Sequence, residues 1–501
     1  MQRALQASEL GRRVWTKMAS MPSGSIASAF GAYHAPLSSE DHVVDTVQAV
    51  NQAQRAWAAR APADRAAVCE SIADRVQREA ELLSLAEALD TGKPLADARA
   101  DIADVELTWR WAAEAALSFD MGPTPTPLLR HVASDWQCSL RHVPRGTVGI
   151  ITPFNFPLMI ASWGMAPALA AGCGVVIKPH DATPASTLLL ETIIGDAVHG
   201  EESPMRVICG GASPGAALAV HPDIHQLVFT GSNATAQKIQ AANATRARMI
   251  PHTYELGGKS AAIVLADAMS TAETLERILD DLAYGAWAVS GQVCSATSRV
   301  IAVRGAYDAV VDGLRARAQV WNAGIGHPLA AGARMGPLLA SPLLAAFPGD
   351  VLSKEPGCVA GGAPACAVLG ESDSLVESPS HLNYYQATVL AGRDTPALDH
   401  AWTHELFAPV VSVVPAADEA EAVRLANASP YGLAAAVFSA DADAAQHVAS
   451  QLSAGTVWMN TNQVVPQGAP WSGWGCSGLG SALGPSALHK YLQTQAMTSP
   501  R

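Results

Sequence analysis

Between residues 42 and 119 apolar side chains recur at helical spacing, through Ala67, Ile72, Val76, Leu82 and Leu85, with Asp, Glu and Arg between them. That period predicts helices. Asp90-Thr91-Gly92-Lys93-Pro94 supplies the Gly and the Pro that end one helix before the next begins. From 128 to 146 the pattern changes to short alternating runs, with His131-Val132, Trp136 and Leu140-Arg141-His142-Val143, which predict a small antiparallel ribbon.

A βα alternation follows. Val148-Gly149-Ile150-Ile151 reads as a strand, 157–171 as a helix, 174–177 as a strand and 185–197 as a helix. Strands are expected at 205–209 and 226–230, with a helix opening near Ser232. A second block, from 261 onward, has strands near 261–265, 298–303, 388–390, 410–414 and 434–438, and a Gly-rich loop at 467–484 follows it. Such alternation predicts an α/β fold, with parallel sheet covered by helices on both faces. Residues 156–177 carry no charge and are long enough to span a bilayer. Pro157, Gly164, Pro167, Gly172 and Gly174 interrupt them, so a buried helix and a buried strand of a soluble protein are expected.

At 501 residues and about 150 residues per domain, roughly two to four domains are expected. A chain of this size needs no disulfide or structural metal to fold. Its 32 basic and 45 acidic residues give a net charge of −13. A duplex-binding domain needs a basic field, so nucleic acid is a poor partner. The eight cysteines form no CxxC pair and none stands at zinc-finger spacing from a His. That pattern fits free thiols in a reducing, cytoplasmic setting. Residues 1–21 lack an apolar core for secretion and read as an exposed leading helix.

Four local patterns could carry chemistry. Cys294 follows Gly291-Gln292-Val293, where the Gly lets the backbone turn and leaves room beside the thiol. Glu255 precedes Leu256-Gly257-Gly258, a loop where a general base could be held by close packing. Asn155, in Thr152-Pro153-Phe154-Asn155-Phe156-Pro157, stands directly after a strand and could donate to an oxyanion. Phe229-Thr230-Gly231-Ser232 runs from a strand into a helix start, which suits a phosphate. Singly, each has a plainer explanation: a core thiol, an ion-paired Glu, an Asn in a turn, an ordinary helix cap.

Taken in order, these patterns resemble the aldehyde dehydrogenase superfamily. The resemblance extends to Lys178-Pro179, to Glu405-Leu406-Phe407-Ala408-Pro409-Val410 and to Pro470-Trp471-Ser472-Gly473-Trp474-Gly475-Cys476-Ser477-Gly478, and covers nearly the whole chain. It implies NAD-dependent oxidation of an aldehyde to an acid. Cys294 would attack, Asn155 would hold the oxyanion, and Glu255 would activate water to hydrolyse a thioester. Ile151, Thr152, Phe154, Lys178, Asp181, Gly231, Ser232, Glu255, Leu256, Gly257, Glu405 and Phe407 would surround the cofactor. A carboxylate at Asp181 favours NAD over NADP. The fold implied is a Rossmann-like NAD-binding domain (1–127 and 147–256) and an α/β catalytic domain (257–455). An oligomerisation element (128–146 and 480–501) and a returning loop (456–479) complete it, with a homodimer or homotetramer as the assembly.

The pocket segments are nearest to the betaine-aldehyde and aminoaldehyde branch. Phe156, Trp163, Trp287, Val293, Ser295 and Trp471 are the expected substrate pocket, and Ala288 falls where that branch has another aromatic. A cationic substrate end and a neutral apolar one both remain open. The pocket segments contain no Lys or Arg, which disfavours carboxylate-bearing aldehydes; Arg110 is the residue that could overturn that. Departures from the family pattern are Ala236, Ala408, and Gly164 and Ala482, where many members have a lysine and a glutamate that relay protons. The stretch 341–350 reads as shortened. A CoA-acylating relative and a weakened scaffold are the alternatives.

Overall fold

The computed structural model describes residues 9–10, 12–13, 37–118, 124–125, 134–198, 202–339, 351–354, 358–365, 383–392 and 396–501. His131-Val132, the stretch 341–350 and most of the leading segment lie outside the described residues.

Helix Glu40–Ala59 starts where Ser39 accepts a hydrogen bond from the His42 N–H at 3.1 Å, with Glu40 and Asp41 in its first turn. Helix Pro62–Arg78 opens on its proline. Helix Ala80–Thr91 closes on Gly92 at φ +79°, the left-handed stop expected of that Gly. The 24-residue helix Leu95–Ser118 packs across the second and third of these and against helix Pro157–Ala170. The latter is buried on nearly every side, which explains its uncharged, largely apolar sequence.

Two large sheets organise the rest. The six-stranded sheet runs, in order, Gly478–Leu479, His252–Glu255, Gln226–Thr230, Thr147–Ile151, Gly174–Lys178 and Met205–Val207. Its pairings are parallel except at Gly478–Leu479. The strand expected at 205–209 ends earlier. Ile208 still donates to Ile177 O, and then Gly210 at φ +134° turns the chain away.

The seven-stranded sheet runs Cys358–Ala360, Thr388–Ala391, Val410–Ala416, Thr297–Val303, Ser260–Val264, Ala434–Phe438 and Thr456–Met459, antiparallel only at the first pairing. A third, three-stranded sheet joins Thr124–Pro125, Trp136–Pro144 and Leu492–Pro500, in register from Trp136↔Pro500 to Pro144↔Leu492. Among the described residues no helix is long and apolar enough to cross a membrane.

Candidate active site

In the six-stranded sheet the strand order reverses between Thr147–Ile151 and Gln226–Thr230. The crevice at the carboxyl ends of such strands is where ligands bind in doubly wound sheets. Ile151, Thr152, Phe154 and Asn155 leave the first strand there, and Gly231 and Ser232 leave the second. Ser232 caps helix Asn233–Asn243 by accepting from the Thr235 N–H at 3.3 Å. Lys178 ends the next strand, and its ammonium donates to the carbonyls of Pro179 and Gly210 at 2.8 and 2.7 Å. Asp181, half-exposed, lies 3.2 Å from His180 Nδ1. Phe154 sits edge-on between His180 and Phe407, at 5.4 and 5.7 Å.

Glu255 ends strand His252–Glu255, and the double glycine after it allows two close approaches. Glu405 accepts from the Gly258 N–H at 3.1 Å. A Cβ on Gly257 would stand 2.2 Å from Glu405 Oε2, and one on Gly258 would stand 2.3 Å from Cys294 O. The Leu256 N–H donates to Ser477 O, which ties this turn to the C-terminal loop.

Cys294 is delivered by an unusual turn. Val289, Ser290 and Gly291 are consecutive left-handed residues, at φ +52°, +57° and +70°. A β-branched residue there is strained, and hydrogen bonds from neighbouring loops hold the turn. Ser290 Oγ donates to Gly336 O at 2.8 Å, while Gln292 donates to Pro337 O and accepts from the Leu339 N–H. A Cβ on Gly291 would meet Ala408 O at 2.2 Å. Asn155 Nδ2 donates to Gln292 O at 2.8 Å, so the amide is fixed beside the thiol loop with a second N–H to spare.

Cys294 and Glu255 line one cavity of about 230 Å³. Phe156, Trp163 and Trp471 form an aromatic wall, Trp163 and Trp471 with ring centres 6.0 Å apart. Val293 and Ser295 also face it, the Ser295 hydroxyl donating to Gln463 Oε1 at 2.7 Å. Trp287 does not. It ends helix Ala272–Trp287 on the core side, fully buried against Trp321 at 5.9 Å, and the residue that reaches the cavity is Ala288. Arg110 also lies elsewhere, paired with Glu70, Asp74 and Glu106.

The aldehyde dehydrogenase family model matches residues 27–497 of this chain. The chain belongs to the aldehyde dehydrogenase family. It is 33% identical over 460 residues to a chloroplastic betaine aldehyde dehydrogenase of Beta vulgaris, covering 89% of this chain and 85% of the relative. It is 32% identical to a peroxisomal aminoaldehyde dehydrogenase of Pisum sativum, covering 89% and 84%. The crystal structure of a betaine aldehyde dehydrogenase from Staphylococcus aureus in complex with NAD+ superposes with a TM-score of 0.85 at 26% identity, covering 98% of both chains.

This aldehyde dehydrogenase has cavity residues that no motif announced. Asp97, Asp101 and Asp104 line the cavity from helix Leu95–Ser118, and Lys490 lines it from the C-terminal segment. The spacing of the three aspartates, by four and then three, puts them on one helical face, which is the only sign the sequence gives of them. Asp104 accepts from Trp163 Nε1 at 3.2 Å and from the Gln467 amide. Asp101 pairs with buried Lys93, whose ammonium also lies 3.8 Å from Glu87 and 4.4 Å from the Phe156 ring centre.

The electrostatics follow from burial. Burial pushes the Cys294 thiol up to about 12, and the carboxylates of Glu405 and Glu255 add to that. Burial also raises Glu255 well above the carboxylate range, against the opposing pull of Lys490 and the Ala482 N–H. Burial raises Glu405 to about 7, opposed by the Gly258 N–H and Lys259. Asp97 and Asp104 rise to about 6, chiefly through burial. Cys294 and Glu255 thus share one cavity, in which burial favours the uncharged form of each.

Proposed function

We propose that this aldehyde dehydrogenase oxidises an aldehyde with a cationic end, of the amino or betaine type, to its carboxylic acid with NAD. The observation that carries the substrate class is the shared wall of the Cys294 cavity: three aspartates together with Phe156, Trp163 and Trp471. Aromatic faces hold an ammonium with about 0.5–2 kcal/mol per contact, and carboxylates attract it over a longer range. Lys93 pairs with Asp101 and also faces Glu87, so the attraction for a substrate cation falls to Asp97 and Asp104. The relatives named for betaine aldehyde and aminoaldehydes point the same way.

The residues at the crevice fit a dinucleotide. Lys178, Asp181 and the helix start at Ser232 suit the adenosine ribose and the pyrophosphate. Glu405, which Gly257 allows to approach the backbone, suits the nicotinamide ribose, with Phe154 and Phe407 beside the ring. NAD rather than NADP is supported by the Asp181 carboxylate and by the NAD+ complex of the Staphylococcus aureus neighbour.

In the reaction, Glu255 removes the Cys294 proton and the sulfur bonds the aldehyde carbon. The oxygen that gains the charge accepts from the free Asn155 N–H and from the Cys294 backbone N–H. A nicotinamide held by Glu405 and beside Phe154 and Phe407 would supply the acceptor for the hydride of that carbon, and a thioester would then remain on Cys294. Glu255 then takes a proton from water, whose oxygen bonds the thioester carbon as the carbon–sulfur bond breaks. The three-stranded sheet, with the paired strand Leu492–Pro500 largely exposed, would serve as the oligomerisation element.

NADH formation by wild type and by Cys294→Ala is the test, with betaine aldehyde, an ω-aminoaldehyde, hexanal, benzaldehyde and succinic semialdehyde as substrates. The expected result is cysteine-dependent turnover, with kcat/KM at least roughly tenfold higher for a cationic aldehyde, about 1.4 kcal/mol. Equal or better use of hexanal or benzaldehyde would overturn the cationic substrate. Cysteine-independent NADH formation would overturn the mechanism.

A further inference from the structure

Gly164 and Ala482 stand where the family often has a lysine and a glutamate, and both line the cavity without bringing a charge. A different element supplies one. Lys490 follows the short helix Ser486–His489, and its carbonyl is held by Arg145 Nε at 2.7 Å. Its side chain reaches the cavity wall, where the ammonium donates to the carbonyl of Ser481, next to Ala482, at 2.7 Å. Glu255 is 6% exposed, and neither carboxylate oxygen has a hydrogen-bond partner, because the nearby Ala482 N–H donates to Trp471 O. A buried carboxylate without donors is costly unless a cation faces it. Lys490 is the cation whose charge draws Glu255 toward ionisation.

We propose that Lys490 is the positioning residue for Glu255, holding the base ionised and carrying off the proton that it takes from the hydrolytic water. The proposal rests on the acyl-Cys294 chemistry described above. Once Glu255 is protonated, the ammonium of Lys490, a residue only partly exposed, faces a neutral acid and releases one proton toward solvent. The resulting amine accepts the proton held by Glu255, which restores carboxylate and ammonium. One proton has passed from water to bulk, and no further reactant is needed. Burial raises Glu255 and lowers Lys490, which draws the two groups toward each other in proton affinity. The other titratable groups that share the cavity are Cys294, Tyr284, Asp97, Asp101 and Asp104.

The test uses the full chain and p-nitrophenyl acetate, an ester that acylates Cys294 without aldehyde or NAD. Acylation appears as a nitrophenolate burst and deacylation as the steady phase. Lys490→Met is expected to keep the burst amplitude, though the burst itself slows because Glu255 also serves acylation, and to slow the steady phase roughly tenfold or more. Its ascending pH limb should move alkaline by about one unit, the effect of losing a nearby opposite charge. Lys490→Arg should restore most of the rate and return the limb. If Lys490→Met does not fold, Lys490→Gln is read by the same two phases. A steady phase within about twofold of wild type with an unmoved limb overturns the proposal. So does loss of the burst amplitude in Lys490→Met, and so does a wild-type chain with no burst. Ester turnover without NADH from any aldehyde would instead sink the aldehyde reading and leave this one standing.

Discussion

The crevice at the sheet switch point and the cavity around Cys294 are built by different means. The crevice is set by backbone: strand ends, the N-terminus of helix Asn233–Asn243, and glycines that admit Glu405 and Cys294 within van der Waals limits. The cavity wall is set by side chains from far-apart elements, including helix Leu95–Ser118, helix Pro157–Ala170, the loop through Trp471, and Lys490. A backbone-built site tolerates few substitutions and serves one shared ligand chemistry. A side-chain-built wall can be refitted to new substrates without disturbing the reaction. This contrast gives the two regions different expected responses to mutation.

The largest effect belongs where the regions meet. Cys294→Ala should reduce NADH formation to background with every aldehyde. Residual turnover would show that the nucleophile lies elsewhere. Next, Glu255→Gln should slow steady turnover about 10²–10⁴-fold, with a first NADH burst retained if another group can take the thiol proton. In the wild type, the raised affinity of Glu255 for its proton makes the rate climb as pH rises through the neutral range, because the base works only when deprotonated. An ordinary carboxylate would be fully ionised by about pH 6, so a flat profile above that value contradicts the burial argument.

Smaller effects separate wall from crevice. Asp104→Asn should lower kcat/KM roughly tenfold for a cationic aldehyde and leave hexanal unchanged; equal losses on both would make Asp104 a structural support of Trp163. Gly257→Ala should raise the KM for NAD several-fold, by displacing Glu405 at a cost of about 1 kcal/mol, without changing the order of aldehyde preference. A changed order would mean that crevice and wall are not separable. Trp287→Phe should leave the preference untouched and lower thermal stability only, since that ring packs on Trp321.

The same contrast explains what the sequence disclosed. Asn155, Glu255 and Cys294 were legible because each is framed by Gly or Pro residues that the backbone needs at that place. The strands from Thr147–Ile151 to Gln226–Thr230 were legible because they are apolar runs between turn signals. Asp97, Asp101 and Asp104 were not, since an aspartate row looks alike whether its helical face meets water or a cavity. Lys490 was invisible because it comes to share a cavity with Glu255 only through tertiary folding, across more than two hundred residues of chain. Trp287 was misplaced for a related reason: one residue separates the core side of its helix from the cavity, and only the turn at Ala288 decides which residue faces which.

Trp471, Ala482 and Lys490 complete a wall that they share with residues near 100 and 160. A ribosome will therefore have made the nucleophile, the base and the whole switch point long before the chamber that serves them can close. Until residues 471–490 emerge, Cys294 belongs to an open surface with no Trp471 beside it and no cation opposite Glu255. Competence to handle a reactive aldehyde thus arrives late in synthesis, and a nascent chain stalled before Trp471 should carry the thiol without the chemistry.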